Sequence, residues 1–335
     1  MTDTSANSGA NPGLFSRLDW KTLGPLAALL LLLVIGGLLN ENFLSSGNLL
    51  NILTRSAFIG IIAIGATFVI SAGGIDLSVG SMAAFTAGVM IMLMNWMLGV
   101  TDMIWLIVIT GVVAGALIGS AAGWLNGILI TRGGIEAFIV TLGTMGIYRS
   151  LVTYLADGGT LSLDRDVRAL YRPVYYGDVF GLAVPVILFA LTALAGWVIL
   201  NNTAFGRHVQ SVGASEDVAR YSAINTDRIK VYAFMIQGAC VALATIVYVP
   251  RLGSASATTG VLWELEAIAA VIIGGTLLKG GYGRIGGTIA GALILTLIGN
   301  ILNLTDLISN YLNGAVQGVI IIAAVFLQRG LARKS

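Results

Sequence analysis

The chain is poor in charge. Asp, Glu, Lys and Arg make up 10% of its 335 residues, where soluble domains carry about 25%. It has one cysteine, Cys240, one histidine, His208, and only 5 prolines. A lone cysteine excludes an intrachain disulfide and, beside a single histidine, leaves no set of ligands for a metal. Cys240 lies in an apolar run and reads as a small buried thiol. No Walker A pattern, no HExxH and no convergent Ser-His-Asp set is present, so neither an enzyme nor an internal energy source is expected. No chain of acids or histidines runs through the apolar segments, which argues against a proton relay. The formal net charge is +2, and no nucleic-acid partner is expected.

What the chain has is oil and glycine. Apolar residues make up 57% of it, and there are 44 glycines. Runs of near-spanning length recur, as in LAALLLLLVIGGLL from Leu26 to Leu39. Backbone in hydrocarbon must pair its own polar groups, so only helices or closed barrels cross a bilayer. Barrel strands alternate with a period of two, and these runs do not. The expectation is an all-α polytopic membrane protein.

Apolar segments fall near 24–40, 57–72, 78–97, 103–130, 134–156, 179–200, 231–249, 264–279, 285–303 and 312–328, about ten helices. Residues 1–13 read as a polar tail, and Arg17 and Lys21 precede an uncleaved first span. With the N-terminus inside, 12 of the 18 Lys and Arg residues lie in inside segments, all four lysines among them. That bias favours both ends in the cytosol. The division is a cytosolic tail (1–21), one transmembrane domain (22–328) and a short cytosolic tail (329–335). Residues 157–178 should face outward and 201–230 the cytosol.

Glycines recur every four residues at Gly111, Gly115, Gly119 and Gly123, at Gly80, Ala84 and Gly88, and at Gly283, Gly287 and Gly291. On a helix this spacing makes a stripe that admits a neighbouring backbone. Paired glycines in SAGGID, TRGGIEAF and IIGGTLLKGGYGR instead suggest turns, broken helices or close backbone approach. The candidate pathway or capping residues are Asp76, Ser78, Glu136, Glu264 and Glu266. Asp76 precedes LSVGSMAAF and is expected to cap that helix, and Glu136 the next. Glu264 and Glu266 flank Leu265, so they point to different faces. In the 201–230 loop, Gly213 and Ser215 are expected to start a short helix, with Glu216 and Asp217 in its first turn and Arg220 four residues after Glu216.

Three stretches carry a resemblance: GGIDLSVGS (Gly73–Ser81), FGRHVQSVGASEDVARYSAI (Phe205–Ile224) and ELEAIAAVIIGGTLLKGGYGRIGGTIAGALIL (Glu264–Leu295). The chain resembles, over about residues 25–328, the permease subunits of bacterial ABC importers for monosaccharides, of the ribose/xylose/galactose type. It departs from the usual pattern at Ala214-Ser215, where Gly-Asn is common, and at Ala223, where Gly is. The resemblance implies a bacterial inner-membrane subunit that binds no cofactor. It also implies a cytosolic ATPase carrying ATP and Mg, a periplasmic sugar-binding protein, and a second permease copy or related permease. The coupling residues it implies are Gly206, Arg207, Gly213, Ser215, Glu216, Ala219, Arg220, Ser222 and Ile224. Alternatives are a relative carrying branched-chain amino acids, nucleosides or another small polar solute, a secondary transporter or channel, and a membrane scaffold.

Overall fold

The computed structural model describes residues 20–305 and, beyond them, 312, 314–316, 318, 319, 322 and 326. Much of the expected span at 312–328 and most of both tails lie outside the described residues. In chain order the elements are α1 (Trp20–Leu39), α2 (Ser46–Ser71), α3 (Val79–Met97), α4 (Ile104–Gly133), α5 (Ala137–Leu155), β1 (Thr160–Ser162), α6 (Arg165–Tyr171), α7 (Pro173–Tyr176), β2 (Asp178–Val179) and β3 (Leu182–Ala183). They continue with α8 (Val184–Asn202), α9 (Ala204–Ala214), α10 (Glu216–Tyr221), α11 (Thr226–Leu252), β4 (Ser254–Ser256), α12 (Trp263–Ile273) and α13 (Ile285–Thr305).

Among the described residues, 7 helices are long and apolar enough to cross a membrane: α2, α3, α4, α5, α8, α11 and α13. The protein is an all-α, multi-pass membrane protein. The span expected at 264–279 is corrected. Its helix, α12, has 11 residues and rises only about 16 Å, half of a ~30 Å hydrocarbon core. It stops because Gly274 meets Gly287 backbone to backbone, and Gly275 turns the chain with φ 86°.

α2 and α11 form the buried centre, and α4, α5 and α8 turn most of their surface outward. The glycine stripe of α4 explains how that helix joins the centre. A Cβ on Gly119 would stand 2.6 Å from the Ala242 Cβ, and one on Gly123 would strike the Phe234 carbonyl. Gly111 and Gly115 instead receive the side chains of Met94 and Met90 from α3. One stripe therefore seats two neighbours, backbone on α11 and flexible thioethers on α3. At the far end of α13, Asn48 and Asn300 exchange amide hydrogen bonds of 3.0 and 2.8 Å.

Two stretches leave the helical form inside the bundle. The first, residues 72–78, joins α2 to α3. The second, residues 253–262, follows α11. The second is anchored by β4, which pairs antiparallel with β1, Ser254 opposite Ser162 and Ser256 opposite Thr160. Asn95, near the end of α3, donates to the Ser162 carbonyl at 2.8 Å and accepts from the Asp164 N–H at 3.0 Å. That fixes the level of this end of the molecule. Gly80 lies fifteen residues before Asn95, about 22 Å deeper by helical rise. Gly260 packs against Gly80, so the chain from Ser254 to Gly260 descends into the bundle before α12 carries it on toward the opposite end.

Candidate functional site

α3 and α12 begin beside each other inside the bundle, and they meet there. A Cβ on Gly80 would collide with the Gly260 carbonyl and lie 2.6 Å from Oε2 of Glu264. A Cβ on Gly260 would lie 2.5 Å from the Gly80 carbonyl oxygen. Two interrupted helices with facing starts are how helical carriers bring polar groups to the membrane interior. Glu264 Oε2 is buried without a hydrogen-bond partner among the described residues. Glu266 sits on another face, beside Tyr248. The guanidinium of Arg149, on α5, donates to the carbonyls of Ala257 and Thr259, each at 2.6 Å. It satisfies backbone that has left the helix.

Asp76 corrects its expected role. α3 starts at Val79 with Ser78 at the N-cap, and no side chain caps the helix. Asp76 Oδ1 accepts from the Ser78 N–H at 2.8 Å and the Ser78 hydroxyl at 2.6 Å. The carboxylate therefore closes a turn just ahead of the helix, because the non-helical stretch 74–77 holds it too far back to reach the first turn. Asn126 of α4 donates to Ser78 Oγ at 2.9 Å. Asp76 Oδ2 and Asn126 Oδ1 are both buried without partners among the described residues. Glu136 does occupy an N-cap position, but its side chain makes no cap bond.

The 201–230 loop forms two helices rather than one. Gly213 lies inside α9, not at a helix start. Ser215 ends α9 and caps α10, accepting from the Val218 N–H. Glu216 bridges Arg220 at 3.1 Å and Lys230 at 2.5 Å. Partial burial pushes its carboxyl up, but the Lys230 hydrogen bond and charge, then Arg220, outweigh this and hold it below the usual carboxylate range. α10 closes with the N–H of Ala223 bonded to the Arg220 carbonyl and that of Ile224 to the Ala219 carbonyl. This double closure needs a left-handed residue, and Ala223 takes it with φ 59°.

Of the expected coupling residues, Gly206 and Ala219 are buried and Ser215, Glu216, Ser222 and Ile224 shape the loop itself. Arg207 and Arg220 are exposed. The strongest outward groups were not among those expected: Val218 is 63% exposed and Tyr221 91%. Two apolar residues three apart on an otherwise charged short helix are the signal that points to them.

Gly213 is a junction. A Cβ there would strike the Ser71 carbonyl and stand 2.6 Å from the Gly281 N. The Gly281 N–H donates to the Ser71 carbonyl at 3.0 Å. Gly283 packs on the Ser71 hydroxyl, while Gly287 and Gly291 pack on the carbonyls of Gly274 and Ala270. α9 is thus tied to the end of α2 and to the loop after α12 at one point. Beside it opens a cavity of about 480 Å³, lined among others by Gly73, Thr131, Glu136, Arg220 and Lys230.

Residues 48–325 match the family described as the permease component of branched-chain amino acid transport systems. The chain belongs to that permease family. It is 38% identical over 308 residues to the ribose import permease protein of Haemophilus influenzae, covering 92% of this chain and 93% of that one. It is 34% identical to the D-allose transport system permease protein of Escherichia coli, covering 94% of each chain. To the L-arabinose transport system permease protein of the same organism it is 32% identical, covering 97% of this chain and 96% of that one. The permease is therefore similar along nearly its whole length to monosaccharide transport proteins.

Proposed function

We propose that the permease is the membrane subunit of an ATP-driven importer that carries a monosaccharide. The observation that carries this is the end-to-end similarity to permeases named for ribose, allose and arabinose. The family description names branched-chain amino acids, but the sugar-named relatives and the GGIDLSVGS stretch favour a sugar. In this reading the chain crosses ten times, the descending stretch 253–262 and α12 together making one crossing, with both ends in the cytosol; it lies in the bacterial inner membrane and works with a second copy or a related permease. ATP and Mg are bound by a cytosolic ATPase, and a periplasmic sugar-binding protein delivers the substrate.

The geometry supports a route for coupling. Val218 and Tyr221 stand out from α10 where a partner's groove can take them. Force on α10 passes through α9 to Gly213, which touches both the 72–78 stretch and the 274–284 loop. One arm, 72–78, leads to the start of α3. The other, 274–284, leads back along α12. Both routes end at the Gly80–Gly260 contact, which this reading takes as the gate, with Glu264, Asp76 and Ser78 beside it.

The test is co-expression of the permease with its ATPase and binding protein. Tyr221→Ala combined with Val218→Ser is expected to lose the co-purifying ATPase and sugar uptake while the thermal midpoint of the isolated permease stays at the wild-type value. Sugar entry into liposomes holding the permease alone, without nucleotide, would refute the reading.

A further inference from the structure

The short hairpin ahead of α8 presents a side chain that a water-exposed turn has little reason to carry. β2 and β3 pair with Asp178 opposite Ala183 and Val179 opposite Leu182. The two tip residues, Phe180 and Gly181, have φ 54° and 80°. Two successive left-handed residues are the mark of a tight hairpin turn that Asn-Gly ordinarily fills. Phe180 is fully exposed, and Val179, Leu182 and Tyr176 are each about half exposed. An aromatic ring in a left-handed backbone, with nothing covering it, sits against both steric and solvation preference.

Its level in the molecule says what covers it. α8 has 19 residues, about 28 Å of rise, which matches the ~30 Å hydrocarbon core with no slack. Val184 therefore stands at the hydrocarbon boundary, and the hairpin begins one residue before it. Two-residue strands reach only about 7 Å, so even an upright hairpin keeps Phe180 within the headgroup layer, about 5–7 Å deep. The apolar surface is continuous with the outward face of α8, where Leu191 and Leu194 are more than half exposed. Trp96 and Trp105, at the α3–α4 turn of the same end, are also more than half exposed, as in an interfacial aromatic belt. Arg172 lies 4.8 Å over the Tyr176 ring, an amphipathic pair suited to phosphate above and acyl chain below.

We propose that the β2–β3 hairpin is a lipid anchor, with Phe180 seated among the outer acyl-chain ends and headgroups of the leaflet where α8 begins. This inference rests on the protein crossing a membrane and not on what it transports. The test uses full-length permease in phospholipid nanodiscs, with a nitroxide label on Phe180→Cys and, separately, on Leu182→Cys. Cys240 is buried and does not compete for the label. Asp166→Cys, exposed on α6, serves as the water-level reference. At positions 180 and 182 the ratio of collision with oxygen to collision with a water-soluble nickel chelate is expected to exceed that at 166 by several-fold. Ratios equal to that at 166 overturn the proposal. So does a label that becomes immobilised only when a soluble binding protein is added, which would reassign the knob to protein docking.

Discussion

Gly80 and Gly260 stand back to back, each leaving no room for a side chain on the other. Gly260 also has φ 70°, a region that costs an L-residue about 1–2 kcal/mol. Gly80→Ala is expected to destabilise the permease by about 1–3 kcal/mol through overpacking, and Gly260→Ala by more. The thermal midpoint of detergent-purified protein reads this directly. A wild-type midpoint for Gly80→Ala would mean the two helix starts part freely.

The α4 stripe predicts a contrast between glycines. Gly119→Leu places a branched side chain where Ala242 and the Gly238 carbonyl lie within 3 Å of the first carbon alone. Gly143 on α5 has nothing within 4 Å of that position, so Gly143→Ala is expected to be neutral or to gain up to about 1 kcal/mol from helix propensity. Monodisperse yield by size exclusion should collapse for the first and hold for the second. Equal behaviour would remove the packing role of the stripe.

Ala223 occupies a left-handed position where glycine fits better. Ala223→Gly is expected to relieve about 1–2 kcal/mol, less roughly 0.4–1 kcal/mol from the freer unfolded chain. The net gain is at most about 1.6 kcal/mol and local to α10. Hydrogen exchange at the Ile224 amide should slow, and a faster exchange would show that the strain is not there.

Glu216 predicts a dependence on pH. Its native carboxyl is held below the ordinary value near 4.3, so its contribution is complete above that value and fades as pH falls toward the native one. The mobility of a spin label at Asp217→Cys should rise below about pH 4. In Glu216→Gln it should already be raised at pH 7 and stay flat. Both Glu216 partners are partly exposed, so the contribution is about 1 kcal/mol or less and weakens with salt.

The sequence marks the spans well where oil is continuous and poorly where it is interrupted. α2 begins at Ser46, eleven residues before the expected 57, because Asn48, Asn51 and Arg55 read as loop. In the structure Arg55 Nε donates to Asn51 Oδ1 at 2.9 Å along one helix face. The five residues expected at the start of the 179–200 span form the hairpin instead. Asp76 was conspicuous as a charge, but the amide that completes its cluster, Asn126, hides among apolar neighbours, as does Gln237, buried with both amide atoms unpartnered among the described residues. The meeting of α3 with α12 joins residues 180 positions apart, and no local period encodes it. Paired glycines announced that backbones come close, not which ones.

Arg149 falls inside the expected 134–156 span, and there, on α5, its guanidinium is spent on two backbone carbonyls. It acts as a donor on loan to a strand that has no helix to satisfy it. A slide of α5 by one turn would strip both bonds together and leave the Ala257 and Thr259 carbonyls without that donor. Motion between α5 and the 257–259 turn therefore carries a cost that motion elsewhere along α5 does not.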